Sequence, residues 1–206
     1  FHDYDRIYEI PGLYEHLFYD RYQCNSPEVV CSLLDRQLPD TDGGNSLRVL
    51  DIGAGNGMVA EQLADLGAES LVGIDIIEEA AEAAERDRPG LYDEYHVADL
   101  TRLPDSVARS LKEKKFNCLT IVAALGFDDI PPLAFAQGFN MITSPGWVAF
   151  NIKEDFVCDA DTTGFCRLID RMTQTGVIEI KARDRYRHRF CQDGMPLYYY
   201  AVVGEK

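Results

Sequence analysis

The sequence lacks C-x-x-C pairs and long apolar runs, and these absences exclude several classes of protein. Its six cysteines are scattered along the chain, which disfavours a disulfide framework or a zinc site and is typical of reduced core residues in a cytoplasmic protein. No stretch approaches the ~20 apolar residues that cross a bilayer, and the N-terminal residues are too polar and aromatic for a signal peptide. We therefore expect no membrane anchor and no metal.

Positive charge is scarce as well. The chain has 20 Lys and Arg residues against 35 Asp and Glu residues, which gives a formal net charge of -15 at pH 7. Such a field repels phosphate backbones and anionic lipid surfaces, so we expect neither nucleic acid nor a membrane as the main partner, although a local basic patch could override the mean. A length of 206 residues, without repeats or low-complexity segments, predicts a single domain.

Short apolar runs alternate with helical patterns from residue 47 onward. The predicted strands span residues 47–52, 71–76, 92–98, 116–124 and 147–152, and the predicted helices span 56–67, 77–86, 129–143 and 161–175. Several strands, such as 118–124, are apolar at consecutive positions, which is typical of a parallel sheet covered by helices on both faces. The pattern predicts a doubly wound, Rossmann-like α/β sheet that binds its ligand at the C-terminal ends of the strands.

The two ends of the chain depart from this alternation. Residues 1–40 are predicted to form a helical cap, in which one helix begins with Ser26 as its N-cap and has a proline in its first turn. The remaining core, residues 45–206, ends in a hairpin formed by strands at 177–190 and 197–203. We therefore expect a mostly parallel, seven-stranded sheet that contains one antiparallel strand.

The stretch VLDIGAGNG, residues 49–57, passes from an apolar strand into a glycine turn. Turns of this kind usually receive phosphates, because their bare N–H groups and the following helix N-terminus attract anions. Asp51, two residues before the first glycine, opposes an anion. Asp75 ends the next strand about 20 residues beyond the turn, the spacing that places a carboxylate over a ribose diol, and Asp99 follows the third strand. A solvated strand end would explain any one of these residues, but three in register indicate a binding site.

The three carboxylates discriminate between nucleotide ligands. A nicotinamide dinucleotide fits badly, because Asp51 would repel its pyrophosphate and Met58 replaces the third glycine of G-x-G-x-x-G. A ligand with a nucleoside at one end and a sulfonium at the other fits well. Asp51 would meet the positive charge through its field or a water, Asp75 would accept from ribose hydroxyls, and Asp99 from an adenine amino group. S-adenosylmethionine is such a ligand, and S-adenosylhomocysteine is its demethylated product.

Four segments carry a resemblance to a known superfamily. VLDIGAGNG (49–57), LVGIDII (71–77), YHVADL (95–100) and FNCLTIVAALGFDDIP (116–131) resemble the successive motifs of class I S-adenosylmethionine-dependent methyltransferases. Within that superfamily, RPGLY (88–92) and the segment IVAALGFDDIP are similar to the methyltransferase-like proteins of the Williams–Beuren region, a group that implies no particular substrate.

The resemblance implies roles for individual residues. Gly53, Ala54 and Gly55 would approach the methionine part of the cofactor, Asp75 would bind ribose with Ile76 against the adenine, Asp99 and Leu100 would bound the adenine from the other side, and Ala123 would lie beneath the methyl donor. The segment after the fourth strand, 124–127, lacks the Asn/Asp-Pro-Pro-aromatic motif of many amino-group methyltransferases that act on nucleobases or glutamine. That chemistry is therefore disfavoured.

Candidates on the acceptor side are weaker. Asp128, Asp129 and His188 are candidate bases, but displacement at a sulfonium can rely on positioning alone, and His188 is more typical of a packed or hydrogen-bonded core histidine. Two adjacent carboxylates alone are weak evidence for a divalent ion. Tyr14 and Tyr22, at helical spacing with Phe18, indicate either a lid over the cofactor or a buried face.

Basic residues alternate near the C-terminus, where a regular strand would place five of them on one face; these are Lys181, Arg183, Arg185, Arg187 and Arg189. We favour the interpretation that they protect a solvated sheet edge from aggregation. The alternative is a site for an anionic substrate at the ligand-facing end of the strand, formed by Arg187 and Arg189.

The sequence as a whole predicts a methyltransferase that uses S-adenosylmethionine and a small-molecule acceptor. The alternative from another class is a non-catalytic binding or regulatory module that retains the same fold and cofactor. The three carboxylates argue for cofactor binding in both cases, so they do not separate the two.

Overall fold

The computed structural model describes residues 3–39, 46–125, 130–157 and 161–206. Its strands are β1 (Arg48–Ile52), β2 (Ser70–Asp75), β3 (Glu94–Val97), β4 (Cys118–Leu125), β5 (Trp147–Lys153), β6 (Glu179–Phe190) and β7 (Pro196–Glu205). Its α-helices are α1 (Tyr4–Glu9), α2 (Leu13–Glu15), α3 (Ser26–Asp35), α4 (Met58–Asp65), α5 (Glu78–Asp87), α6 (Asp105–Glu113), α7 (Pro132–Met141) and α8 (Phe165–Gln174). A π-helical turn, His16–Arg21, continues α2, and 3₁₀ turns cover Leu100–Arg102 and Glu154–Val157.

The strands form one seven-stranded sheet in the order β3-β2-β1-β4-β5-β7-β6. β1 pairs in parallel with β2 and β4, while β7 pairs antiparallel with both β5 and β6. This confirms the predicted doubly wound sheet with one antiparallel strand. The winding reverses between β1 and β4, where the fold rules place a ligand.

Consecutive apolar residues in the strands supply two cores, one on each face of the sheet. In β4, Leu119 and Ile121 belong to the core on one side, and Cys118 and Val122 belong to the core on the other. All four side chains are buried, because a strand between two helix layers has no solvated face. The central strands therefore fix the position of the glycine turn that follows β1.

One local prediction about helices was wrong, and one helix was not predicted. α3 begins at Ser26, and Asn25 precedes it as the N-cap without a side-chain capping bond; the Ser26 hydroxyl instead bonds to side chains of β6. The helix α6 was not predicted. Its sequence, DSVARSLKE, is mostly polar, and Leu111 is the one buried residue within this helix, so its apolar pattern was too weak to predict a helix.

Two β-bulges in β6 break the predicted basic face. Lys181 lies in the first register shift, and the second falls between Arg187 and Arg189. Arg187 pairs with Tyr198, whereas Arg189 pairs with the adjacent residue Leu197, whose side chain points to the opposite side of the sheet. The prediction that all five basic residues share one face is therefore wrong.

Cysteine, metal and membrane features can be stated for the described ranges. The five cysteines there are free, and those ranges contain no group of three or more side chains suited to hold a metal. None of the helices in this part of the chain combines the length and apolar character that crossing a membrane requires.

Candidate functional site

A cavity of about 350 Å³ opens at the C-terminal ends of β1, β2 and β4. Its walls come from the glycine turn, the residues after β2 and β3, the end of β4, the start of α7 and the N-terminal helices. The residues that line it are Tyr4, Tyr8, Tyr14, Ile52, Gly53, Ile74–Ile77, Ala98–Leu100, Val122–Ala124, Ile130, Pro131 and Ala134. The cavity lies at the edge of the sheet that the sequence predicted.

The glycine turn requires glycine at two positions. Gly53 and Gly55 have φ values of 67° and 53°, in the left-handed region. A Cβ at Gly53 would lie 3.0 Å from the Cβ of Ala124, and one at Gly55 would lie 2.6 Å from the Tyr8 hydroxyl. The backbone of the turn is therefore in close contact with a cavity wall on one side and with α1 on the other.

Asp75 faces the cavity and is held by backbone donors. Its Oδ2 accepts from the Gly55 N–H at 3.0 Å, and its Oδ1 accepts from the Ile77 N–H at 3.1 Å. Burial raises the pKa of this carboxyl, and the backbone bonds partly offset that rise. The arrangement presents a fixed carboxylate at the end of β2, as the spacing from the glycine turn predicted.

Asp51 lies beside the turn and does not belong to the cavity lining. Its side chain is 1% exposed and accepts hydrogen bonds from the Thr120 hydroxyl at 2.7 Å and the Tyr92 hydroxyl at 2.8 Å. Burial raises its pKa to about 6, although both hydroxyls act in the opposite direction. Asp51 can therefore affect a ligand through its field, while its contact with cofactor stays a prediction.

The third carboxylate and two apolar residues form the side of the cavity next to β2 and β3. Asp99 Oδ1 accepts from the backbone N–H and the hydroxyl of Thr101, which keeps the pKa of Asp99 low. Ile76 is 65% exposed although it is apolar, and Leu100 is buried. Both apolar side chains line the cavity, which suits a flat apolar ring such as adenine.

The end of β4 is irregular where it meets the cavity. Ala123 has a φ of 61°, which is uncommon for a residue with a side chain. The pairing with β5 shifts between Ile121 and Leu125, so three residues of β4 lie opposite the single residue Asn151. The Ala123 N–H donates to Asn151 Oδ1 at 2.6 Å. Sequence reasoning missed Asn151, because no local pattern marks a residue opposite a bulge.

Tyrosines of the N-terminal segment form one wall of the cavity. Tyr4, Tyr8 and Tyr14 line it, and the rings of Tyr8 and Tyr14 stack with centroids 4.8 Å apart. Tyr8 is 5% exposed, so these residues are both a packed face and a cavity wall. Tyr22 is buried and does not line the cavity. The i, i+4 spacing of Tyr4 and Tyr8 was a signal that the sequence reasoning left unused.

The three candidate bases either lie away from the cavity or fall outside the described residues. His188 is buried, bonds to the Ser26 hydroxyl at 2.6 Å and does not line the cavity. Burial lowers its pKa to about 3, so the ring is neutral at physiological pH. This placement corrects its candidacy as a base. Asp128 and Asp129 lie outside the described residues.

The substrate candidates on β6 also lie outside the cavity lining. The Arg187 guanidinium stacks 4.2 Å from the centre of the Phe190 ring, and Arg189 is 7% exposed and donates to the Phe190 carbonyl. Arg183 and Arg185 stack in the same way on Tyr200 and Tyr198. These residues form a row of Arg–aromatic pairs that is separate from the cavity.

The charge of the cavity has one sign. Among the described residues that line it, the charged side chains are Asp75 and Asp99, and none is Lys, Arg or His. Asp51 adds a further buried negative charge near the turn. Such a site attracts a cation and disfavours a pyrophosphate.

Comparisons with known proteins agree with this geometry. Residues 49–146 match the family described as a methyltransferase domain, and a search of curated protein sequences gives no match. A SAM-dependent methyltransferase from Methanosarcina mazei is similar in structure, with a TM-score of 0.59 and 17% identity over 84% of this chain and 96% of that chain.

Two further solved structures show how broadly the fold is shared. Magnesium protoporphyrin IX methyltransferase from Synechocystis PCC 6803, determined with bound SAM, gives a TM-score of 0.59 and 15% identity over 87% of this chain and 77% of that chain. Ribosomal protein L11 methylase from Lactobacillus delbrueckii subsp. bulgaricus gives a TM-score of 0.57 and 19% identity over 85% and 77%. At these identities the likeness establishes the fold.

Proposed function

We propose that this chain is a class I S-adenosylmethionine-dependent methyltransferase, because residues 49–146 match a methyltransferase domain family and the fold is shared with a solved SAM-dependent methyltransferase. We propose that it binds S-adenosylmethionine in the cavity at the glycine turn. We further propose that it transfers the methyl group to a small-molecule acceptor and releases S-adenosylhomocysteine. Two observations together carry the proposal. The backbone of the glycine turn lies very close to its neighbours, and the charged side chains among the described residues that line the cavity are carboxylates. A phosphate-bearing cofactor would need the opposite charge at this turn.

The residues present fit this cofactor from end to end. Asp75 would accept from the ribose hydroxyls, because its two oxygens are fixed at the cavity wall. Ile76 and Leu100 would enclose the adenine, and Asp99 would accept from its amino group. The turn at 53–55 would receive the methionine part, with Asp51 providing negative charge from beside it.

When bound, this cofactor supplies a methyl group on a positively charged sulfur. The chain's own contribution is binding, orientation and the exclusion of water. Burial raises the pKa of Tyr8 and Tyr14 well above neutral pH, so their hydroxyls stay protonated and act as hydrogen-bonding groups rather than bases. With His188 outside the cavity, and with Asp128 and Asp129 outside the described residues, the described part of the chain contributes to catalysis by aligning the acceptor with the methyl group.

A small acceptor is supported by the net charge of -15, which disfavours nucleic acid as the acceptor. The free cysteines of the described ranges support a reducing, cytoplasmic location. The proteins compared above include a porphyrin methyltransferase and a ribosomal protein methylase. The test therefore also asks whether protein or nucleic acid accepts the methyl group.

The test is calorimetry with S-adenosylmethionine and NAD, followed by transfer of labelled methyl groups to metabolite, RNA and protein fractions of an extract. We expect binding of the sulfonium cofactor and labelling of the metabolite fraction. NAD binding without binding of S-adenosylmethionine would refute the proposal. Cofactor binding without transfer to any fraction would favour the non-catalytic module.

A matched variant tests the assigned site. Asp75→Asn keeps the size of the side chain but replaces one acceptor oxygen with a donor group, so we expect S-adenosylmethionine to bind about 10- to 100-fold more weakly, as expected when buried polar partners are mismatched. Asp65→Asn, a change of the same kind at the end of α4, lies outside the cavity lining and should bind as the wild type does. Equal affinities for the two variants would contradict the assignment of Asp75.

A further inference from the structure

A chain of buried side chains leads away from the bulge in β4. Asn151 accepts from the Ala123 N–H through Oδ1, and its Nδ2 donates to the Tyr186 hydroxyl at 2.7 Å. The Tyr186 hydroxyl lies 2.7 Å from Ser26 Oγ, which in turn lies 2.6 Å from His188 Nδ1. The chain thus joins β4, β5 and β6 to the first turn of α3.

The directions of the two hydrogen bonds made by Asn151 are determined by the Ala123 end of this chain. A backbone N–H can only donate, so the amide oxygen of Asn151 must face Ala123 and its NH₂ group must face Tyr186. The Tyr186 proton is then available to Ser26. Ser26 Oγ also lies within hydrogen-bond distance of Nδ1 of His188, whose ring is buried and neutral.

The bulge explains why the chain begins at Asn151. Residues 122–124 have no backbone register with β5, since the pairing resumes only at Leu125. The Ala123 N–H would be an unpaired donor at the buried end of a strand, which is costly. The side chain of Asn151 replaces the missing backbone partner and holds the left-handed conformation of Ala123.

The held segment is part of the cavity wall. Val122, Ala123 and Ala124 all line the cavity, and the Cβ of Ala124 lies close to the glycine turn at Gly53. Asn151 is fully buried and does not line the cavity. Any effect of Asn151 on a ligand must therefore pass through the backbone at Ala123.

We propose that Asn151 and Tyr186 are positioning residues that set the cavity wall at Ala123 for the cofactor and the methyl acceptor. This inference rests on the proposed function for the identity of the ligand. The relay, defined as Asn151, Tyr186, Ser26 and His188, acts by holding three residues of β4 out of the ladder so that their backbone lines the cavity. The far end of the relay is fixed because the His188 ring stacks on Tyr199 with centroids 4.1 Å apart.

The test combines a structural readout with a binding readout. In Asn151→Ala the Ala123 N–H loses its acceptor, and we expect its hydrogen exchange, followed by NMR, to accelerate at least about tenfold. We expect the affinity for S-adenosylhomocysteine to fall about tenfold, the effect of leaving a buried group unpaired. Tyr186→Phe, which removes one hydroxyl and is the milder variant, should show smaller changes in the same direction.

A double variant and a control make the test specific. Because both residues act through Ala123, Asn151→Ala with Tyr186→Phe should lose no more affinity than Asn151→Ala alone. Val148→Ala, also buried in β5 but outside the relay and the cavity lining, should lower thermal stability while leaving both the Ala123 amide and the affinity unchanged.

The outcomes separate the relay from the proposed function. A wild-type protein that binds no S-adenosylhomocysteine or S-adenosylmethionine would overturn the proposed function. If the wild type binds S-adenosylhomocysteine and both Asn151→Ala and Tyr186→Phe bind it with the same affinity as the wild type, the relay is overturned. The relay is also overturned if Val148→Ala loses as much affinity as Asn151→Ala. An Ala123 amide that exchanges at the wild-type rate in Asn151→Ala would also overturn it.

Discussion

The buried carboxyl of Asp51 destabilises the folded protein when it is ionised, but it would stabilise a bound cation. Its carboxyl is buried with a pKa raised to about 6, so ionisation costs more in the folded protein than in the unfolded chain. A cation bound at the glycine turn would favour the ionised form and lower this pKa. Binding would therefore release a proton from Asp51 in the pH range near 6.

The first prediction concerns this linkage. Affinity for S-adenosylmethionine should fall as the pH drops from 7.5 to 5.5, because Asp51 must then lose a proton on binding. In Asp51→Asn we expect about tenfold weaker binding at pH 7.5, consistent with loss of a charge interaction worth about 1.4 kcal/mol, and a flatter pH profile. Calorimetry at several pH values measures both effects.

The matched control is the choice of ligand. S-adenosylhomocysteine lacks the positive sulfur, so Asp51→Asn should weaken its binding much less than that of S-adenosylmethionine. An equal loss for both ligands would show that the substitution disturbs the turn rather than the electrostatics, and would contradict the role of the charge.

Single residues also show where sequence reasoning succeeds and fails. Asp75 and Asp99 were found because parallel strands end at one edge of a sheet, so chain position alone places them together. Asn151 was missed because its partner is a backbone amide at a bulge, and a bulge depends on packing between strands. Arg189 was misplaced for the same reason, since one extra residue turns all later side chains to the other face.

The N-terminal segment is attached to the core by an ion-pair cluster. Arg88, whose side chain is 8% exposed, pairs with Glu15 of α2 at 2.9 Å and with Glu61 of α4 at 3.0 Å. Asn56 also donates to Glu15 at 3.1 Å. Since Tyr8 and Tyr14 shortly precede Glu15 in the sequence, the cluster holds these two cavity-lining tyrosines over the cavity.

The second prediction tests this attachment. Glu15→Gln keeps the side-chain shape but removes its charge, so one of two carboxylates on a buried Arg88 is lost. We expect a destabilisation of about 1 kcal/mol, faster proteolysis within the first 21 residues, and faster dissociation of S-adenosylmethionine. Limited proteolysis and stopped-flow binding measure these effects.

A control on the same segment excludes a general effect of charge. Glu9→Gln changes an exposed residue at the end of α1 and should leave proteolysis and dissociation as in the wild type. If the N-terminal segment of Glu15→Gln resists proteolysis as well as that of the wild type, aromatic stacking alone holds the tyrosines over the cavity.

Whole elements were predicted well where the core requires them. All seven strands were predicted, with ends that shift by a few residues. The central strands were found because buried strands need continuous apolar runs, whereas the edge strands β3 and β6 are only partly buried. Helix α6 has little apolar surface, and its existence follows from the need to connect β3 to β4 in parallel across one face of the sheet. The order of the strands in the sheet was not predicted, because no single segment records which strands pair.

At the scale of the whole molecule, two buried groups give opposite responses to acid. Burial lowers the pKa of His188 to about 3 from 6.5, and raises that of Asp51 to about 6 from 3.8. Between pH 6 and 4 the unfolded chain binds a proton at His188 that the folded chain does not. Over the same range the folded chain binds a proton at Asp51 that the unfolded chain does not.

The third prediction follows from these signs. The His188 contribution is present above pH 6.5 and is lost as the pH falls, whereas the Asp51 contribution is present at low pH and is lost as the pH rises through 6. Each changes by about 1.4 kcal/mol per pH unit, so the two nearly cancel in the wild type. In Asp51→Asn only the His188 term remains, and the free energy of unfolding should fall by about 2–3 kcal/mol between pH 6 and 4 relative to the wild type. Urea unfolding at each pH measures how the free energy of unfolding changes with pH.

His188→Gln should change this pH dependence in the opposite direction, because the two variants remove contributions of opposite sign. Parallel pH profiles for the two variants would contradict the assignment of these contributions to His188 and Asp51.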